Sequence, residues 1–362
     1  MKITLVAGAR PNFMKIAPII HSIKKAKENG INISYRLIHT GQHYDEKMSG
    51  SFFQELNIPK PDNNLNAGGG SQAEQTAAIM IGFEKELINY PSDLVLVVGD
   101  VTSTMACAIS AQKLKIKVAH VEAGIRSGDW SMPEEINRLV TDSITNYFFT
   151  TSEIANNNLI KSGVAEENIF FVGNTMIDTL LAHRSKFIKP DIWGQLNLSK
   201  GKYIVMTLHR PANVDEDSKL RNLVQEIINH SQDLPLIFPV HPRTASILKG
   251  MGIQHSRLHL IEPLGYLEFN YLVEHSIAVI TDSGGITEET SVMGIPCMTL
   301  RDNTERPETI SLGTNELLGT NPSAIKPAME KLFSGQWKIG KSIPLWDGLS
   351  SERIVENLLN LK

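Results

Sequence analysis

The sequence predicts an α/β protein built on parallel sheets, and three features predict it. Short apolar, β-branched runs recur along the chain, longer amphipathic stretches separate them, and polar residues gather where the runs end. Strands of continuous rather than alternating apolar character belong to sheets covered on both faces. Their alternation with helical segments implies parallel crossover units. The expected strands are "ITLVA" (3–7), "LVLVVGD" (94–100), "KVAHVE" (117–122), "YIVMTLH" (203–209), "PLIFPVH" (235–241) and "IAVITDS" (277–283). Helical periodicity fills 14–29, 73–89, 103–113, 134–146 and 216–231.

The opening "MKITLVAGARPNF" is apolar only briefly, since Gly8, Arg10 and Pro11 interrupt it too early for a signal-peptide core or a membrane span. It reads as the first strand of a cytoplasmic protein. A chain of 362 residues favours two domains over one. The stretch 188–202 mixes Pro, Gly and polar residues as a linker would. Beyond it, "HRPAN" (209–213) echoes "ARPN" (9–12) after a strand. The expected lobes are therefore 1–185 and 186–362, with the C-terminal helix packing back on the first.

Lys and Arg total 35 against 39 Asp and Glu, a net charge of -4, which argues against a broad nucleic-acid surface. The only cysteines, Cys107 and Cys297, sit in small or apolar surroundings and suggest neither a disulfide framework nor a Cys-ligated metal site. The histidines lack metal-ligand spacing. "NAGGGSQAEQ" (66–75) reads as a loop leading into a helix at Ser71; its glycines lack dinucleotide or Walker spacing.

Ligands of open parallel sheets sit beyond the carboxyl ends of the strands. Arg10, Asp100, Glu122, His209, His241 and the Asp282-Ser283 pair occupy such ends and suggest a cleft between lobes, although any one strand-end Asp or His can equally be a cap. In "TDSGGITEETSVMG" (281–294) a strand empties through Ser283, Gly284 and Gly285 into a helix, where free amides and the helix dipole suit an anion. The same pattern also fits an Asp/Ser N-cap followed by acids. Glu288 and Glu289, one turn in, are placed to accept hydrogen bonds from ribose hydroxyls. Arg301 and Arg306 flank a turn and suit a bidentate grip on phosphate, with Lys15 a further positive charge.

The motifs "GARPNFMKIAP", "VGDVTSTMA", "HVEAGIRSGD…PEEINR", "GNTMIDTL", "PVHPR", "TDSGGITEE" and "RDNTERPE" resemble those of the bacterial non-hydrolysing UDP-N-acetylglucosamine 2-epimerases, in order and along nearly the whole chain. The resemblance implies a glycosyltransferase-B-type fold of two Rossmann-like lobes with the active site in the interlobe cleft. It implies reversible C2 epimerisation of UDP-N-acetylglucosamine (UDP-GlcNAc) to UDP-N-acetylmannosamine (UDP-ManNAc) by elimination and re-addition of UDP, for envelope polysaccharide synthesis. By motif match Asp100, Glu122 and Glu134 become acid/base groups and His209 supports the departing diphosphate. Arg10, Lys15, His241, Phe269, Ser283, Gly284, Gly285, Glu289 and Arg306 become substrate contacts.

Clustered acids imply at least one carboxyl with a raised pKa. Glu135 is expected to face away, and Arg138 to pair with a nearby acid. The resemblance implies a homodimer; no metal, cofactor, nucleic acid or membrane insertion is expected. "TGQHYDEKMSG" (40–50) and "HRPAN" lack arginines that many members carry, some of them linked to a regulatory substrate site, and Leu264 replaces a polar residue near the uracil. The alternatives are a 2-epimerase of a modified UDP-sugar, a hydrolysing epimerase, a glycosyltransferase of the same fold and a nucleotide-sugar sensor.

Overall fold

The computed structural model describes residues 1–41, 53, 55–240, 245 and 248–361. The chain divides into two compact units, Met1–Ala182 with Pro344–Lys362, and His183–Ile343.

In the first unit the described residues form a seven-stranded sheet: β1 (Lys2–Ala7), β2 (Ser34–His39), β3 (Asn63–Asn64), β4 (Leu94–Val98), β5 (Lys117–Val121), β6 (Tyr147–Thr150) and β7 (Ile169–Phe171). Their order is β3-β2-β1-β4-β5-β6-β7, with every pairing parallel. The run Leu94–Val98 is buried at every position, as a central strand covered on both faces must be. Each such side chain contributes roughly 1.5–3 kcal/mol relative to exposure.

The helix Arg10–Glu28 begins earlier than its apolar periodicity, because Pro11 occupies the first turn, where a missing N–H costs nothing. The helix Gln72–Asn89 starts where the loop reading placed it. The Ser71 hydroxyl accepts from Glu74 N at 3.2 Å, and Ser71 N donates to Glu74 Oε2 at 2.8 Å, a reciprocal cap.

The tail from Pro344 belongs to this unit by specific bonds. Trp346 Nε1 donates to Thr151 O at 3.1 Å, and Asp178 caps the helix Ser350–Leu359 by accepting from Ser350 N (3.1 Å) and Ser351 N (2.6 Å). Burial pushes the Asp178 carboxyl above its ordinary range despite these bonds. Gly173, at φ +98°, lies so close to the tail that a Cβ there would stand 2.1 Å from Leu345 O. The motif around "GNTMIDTL" is thus the dock for the tail.

The second unit contains, among the described residues, a six-stranded sheet: β8 (Ile204–Thr207), β9 (Leu236–Pro239), β10 (Leu258–Ile261), β11 (Ala278–Thr281), β12 (Cys297–Thr299) and β13 (Asn315–Leu317). Its order, β10-β9-β8-β11-β12-β13, repeats that of the first sheet strand for strand as far as it goes. The winding is played twice, as the Arg-Pro echo suggested. The stretch 188–202 corrects the linker expectation. It carries the helix Asp191–Gln195, and Ile192, Trp193, Leu196 and Leu198 pack on the core of this unit with Tyr203. Apolar residues at near-helical spacing outweighed the Pro and Gly that suggested a linker.

Candidate active site

In the first sheet the strand order reverses at β1, which has β2 on one side and β4 on the other. Ligands of doubly wound sheets bind outside the strand ends at this point. Asn12, buried in the first turn of the Arg10–Glu28 helix, ties the two strand ends together. Its Oδ1 accepts from Gly8 N (3.1 Å) and Ala9 N (3.0 Å), and its Nδ2 donates to Val98 O at 3.0 Å. After β4 comes Gly99 at φ +66°, where a Cβ would stand 3.0 Å from Lys15 Nζ and 3.7 Å from Glu122 Oε2.

Lys15 reaches Glu122 in a mostly buried ion pair. Glu122 has φ +74°, a left-handed conformation that costs a side-chain-bearing residue about 1–2 kcal/mol. Its own N–H (2.9 Å) and that of Ala123 (3.1 Å) both donate to Phe149 O and hold it there. Strain of this kind gathers at functional sites.

Asp100 is gripped by Arg138, whose Nη2 (2.6 Å) and Nε (3.0 Å) both donate to Oδ2. Arg138 lies on the helix Pro133–Ser143, as do Asn137, which donates to Asp100 O at 2.8 Å, and Glu134. Glu134 precedes Arg138 by four positions and so shares its helix face. It is half-buried and has no hydrogen-bond partner among the described residues. Glu135 corrects the expectation that it faces away, for it is buried. It accepts from Ser127 N (2.9 Å), Gly128 N (3.0 Å) and Arg138 Nη1 (2.6 Å). Burial pushes its carboxyl up, but these donors outweigh burial and leave it below the ordinary range. Arg138 therefore holds both Asp100 and Glu135.

In the second sheet the order reverses at β8, between β9 and β11. Asp282, fully buried after β11, accepts from His209 N, Arg210 N (2.9 Å) and Asn213 Nδ2 (3.1 Å), and its Oδ1 lies 2.8 Å from His209 Nδ1. Burial raises this carboxyl, but the His209 contact and the other donors bring it below its usual range. The His209 ring is held by a carboxylate at Nδ1 and remains 58% exposed, which leaves Nε2 as the atom to meet a ligand.

The helix Gly284–Met293 follows directly, and the Ser283 side chain does not cap it. The Ser283 amide corrects the expectation that it faces an anion: it donates to Thr281 Oγ1 at 3.0 Å. The orphan donors of the first turn are the amides of Gly284, Gly285 and Ile286. Beside them lies Arg301, with Nη1 3.7 Å from where a Gly284 Cβ would be. Arg306 instead is buried against Glu288, its Nε donating to Oε1 at 2.6 Å. Tyr266 Oη donates to Glu289 Oε1 at 2.8 Å. Burial raises Glu289 to about 7, with Tyr266 opposing and Glu288 adding to the rise. The main cause of the raised Glu289 carboxyl is thus burial, with the neighbouring acid a lesser contribution.

The structure brings Asp100, Glu122 and Lys15 together at one strand-order reversal, with Glu134 on the helix that grips Asp100. It brings His209, Asp282, Gly284 and Gly285 together at the other. Arg10 is exposed at the start of its helix, and Phe269 is half-buried against the core of the second unit, which Leu264 also packs against. His241 and the stretch 42–50 lie outside the described residues. The sequence reading missed His120, Asp142 and Arg126, a buried polar group behind Gly99. A His inside an otherwise apolar strand was the available signal. Among the described residues no cluster of His, Cys, Asp or Glu could hold a metal ion, and no helix is long and apolar enough to cross a membrane.

The family model for UDP-N-acetylglucosamine 2-epimerase matches residues 24–359. A UDP-N-acetylglucosamine 2-epimerase of Methanocaldococcus jannaschii is 43% identical over 99% of this chain and 99% of its own length. The UDP-2,3-diacetamido-2,3-dideoxy-D-glucuronate 2-epimerase of Pseudomonas aeruginosa is 36% identical, with both chains covered in full. The crystal structure of the M. jannaschii UDP-GlcNAc 2-epimerase in complex with UDP-GlcNAc and UDP matches with a TM-score of 0.89 at 42% identity, covering 100% of each chain.

Proposed function

We propose, from the premise that the chain belongs to the UDP-N-acetylglucosamine 2-epimerase family, that it interconverts UDP-GlcNAc and UDP-ManNAc without releasing free sugar. The C2 proton of the sugar is not beside a carbonyl, so a free carbanion is an unattractive intermediate. Elimination avoids it. A carboxylate takes the proton from C2, the C–H electrons form the C1=C2 bond, and the C1–O bond breaks as UDP departs with its electron pair. UDP then adds back to C1 of the 2-acetamidoglucal while C2 is protonated from the opposite face. Two acid/base groups are needed, one for each face.

The observation that carries this reading is the pairing of acids with cations at the first reversal. Glu122 pairs with Lys15 and Asp100 with Arg138, which sets two carboxyl groups with cations at one strand-order reversal. Glu134, with no partner among the described residues, is the third acid. In the second unit the Gly284 and Gly285 amides with Arg301 are suited to the diphosphate, and His209 Nε2 to the charge that grows on it as C1–O breaks. Glu289 is assigned to the ribose. Arg10, Lys15, Phe269, Ser283, Arg306 and His241 remain assigned to the substrate by motif alone, and so is the bacterial label, since the relatives quoted come from an archaeon and a bacterium. We take the enzyme to be a cytoplasmic homodimer serving envelope polysaccharide synthesis; the buried free thiols of Cys107 and Cys297 suit a reducing compartment.

Incubation with UDP-GlcNAc in heavy water, followed by NMR, tests the reading. Deuterium at C2 in a mixture of intact UDP-GlcNAc and UDP-ManNAc is expected; free ManNAc would show hydrolysis instead. The Pseudomonas relative favours one second reading, a diacetamido UDP-sugar as substrate. Exchange into that sugar but not into UDP-GlcNAc would select it.

A further inference from the structure

We infer that His120 is a positively charged positioning residue for the acid pair, its imidazolium fixing the peptide that carries Asp100. The inference deepens the epimerase reading and rests on it. His120 lies near the end of β5, fully buried, two residues before Glu122. Its Nε2 is 2.7 Å from Gly99 O and its Nδ1 is 2.8 Å from Asp142 Oδ1. A carbonyl oxygen can only accept a hydrogen bond, and so can an ionised carboxylate. Asp142 is ionised: its other oxygen takes Arg126 Nη1 at 2.6 Å and Gly124 N at 3.1 Å. Burial alone would raise Asp142, but His120 and Arg126 hold it below the usual range.

Both ring nitrogens therefore face acceptors and both must carry hydrogen. A neutral ring would point a lone pair at an oxygen in a site without water access, leaving a buried group unsatisfied.

The carboxylate that meets the ring is Asp142, itself paired with Arg126. The pairs Lys15–Glu122, Arg138–Asp100 and Arg138–Glu135 belong to the same strand-order reversal.

The geometric consequence falls on Asp100. Gly99 C=O belongs to the peptide on its N-terminal side, held by His120. Asp100 C=O, on its other side, is held by Asn137 Nδ2 at 2.8 Å. The backbone is thus clamped on both sides of the carboxylate that Arg138 aims.

The first test is ring-nitrogen NMR of the wild-type protein labelled with 15N-histidine. His120, assigned by its absence in a His120→Gln spectrum or by through-bond correlation if that variant does not fold, should show two ring N–H protons near neutral pH. A single proton overturns the proposal. In turnover, His120→Gln can still donate to Gly99 O and should keep more kcat than His120→Leu. The latter should lose about 10²-fold, as misplacement of a reacting group does. KM and the Kd for UDP should stay within about twofold, because UDP contacts are assigned elsewhere.

Wild-type kcat in a folded His120→Leu protein, or a change in KM alone, overturns the positioning role. Should that variant fail to fold, Asp142→Asn serves instead: without the anion the ring loses its proton at lower pH, and kcat should gain a descending limb toward alkaline pH. An unchanged profile counts against the proposal. Absence of any epimerase activity in the wild type would sink the functional reading, while ring protonation would still decide the charge.

Discussion

Glu289 ties nucleotide recognition to pH. Its carboxyl is buried and raised to about 7, chiefly by that burial. Ribose hydroxyls donate hydrogen bonds, so the form that receives them best is the carboxylate. A carboxyl raised in this way is ionised above about pH 7 and protonated below, so affinity is present at alkaline pH and lost as pH falls through that value. If only the ionised form binds, apparent Kd is the intrinsic Kd divided by the ionised fraction, which is ~0.9 at pH ~8 and ~0.1 at pH ~6. UDP affinity should therefore weaken about tenfold across that interval.

The terminal phosphate of UDP titrates near pH ~6 as well. The Glu289→Gln variant shares the phosphate contribution and lacks that of the carboxyl, so the ratio of the two Kd values isolates it. Calorimetric titration with UDP at a series of pH values gives both constants. The same titrations in buffers of different ionisation enthalpy should show the wild type releasing about half a proton more than the variant near pH ~7. A Kd ratio that stays flat from pH ~6 to ~8 refutes the reasoning.

Glu122→Gln and Asp100→Asn should lose about 10²–10⁴-fold in turnover while binding UDP as the wild type does; near-normal rates in both would remove them from the chemistry. Asp282→Asn places an amide N–H against donors that now meet a carboxylate and orphans His209. We expect about 3–5 kcal/mol of destabilisation, seen as a lowered unfolding midpoint, together with reduced kcat. Gly173→Ala sets a Cβ 2.1 Å from Leu345 O in a left-handed backbone, and should detach the tail and lower the thermal midpoint. A midpoint equal to the wild type's would show that the tail yields freely.

The long central strands and the polar residues at their ends were legible because continuous apolar burial and strand-end chemistry are local signals. β7, β12 and β13 were not, since each is three residues long and no periodicity develops over so short a run. The start of the first helix was misplaced because Arg10-Pro11-Asn12 looks like a turn, and only the bonds of Asn12 to the ends of β1 and β4 make it a helix entry. In the site, the acids could be named, and Arg138 as a partner for one of them, but the other pairings could not. Lys15, read as a positive charge toward phosphate, is paired with Glu122, and Glu135, expected to face away, is gripped by Arg138. Lys15 and Glu122 are distant in sequence, so spacing along the chain does not encode their pairing, whereas Glu135 and Arg138 are three apart on one helix and their pairing was open to a helix-face reading. His120, read only as one letter of a strand, shows the same limit.

The return of the tail to the first unit has a consequence for biosynthesis. The ribosome delivers the helix Arg10–Glu28 long before its partner Ser350–Leu359. Ser22 Oγ meets Ser351 Oγ at 3.0 Å, and Lys25 meets Glu352 at 2.8 Å, only once the later helix has been made. At about 5–20 residues per second, the stretch between Ala182 and Pro344 takes on the order of ten to thirty seconds to make. Through that interval the nascent first unit waits with the seat of its last helix uncovered, while the later unit has all the chain it needs to close. The younger half of the polypeptide is thus free to mature before the elder, and a chaperone that covers the vacant seat would act on the elder half.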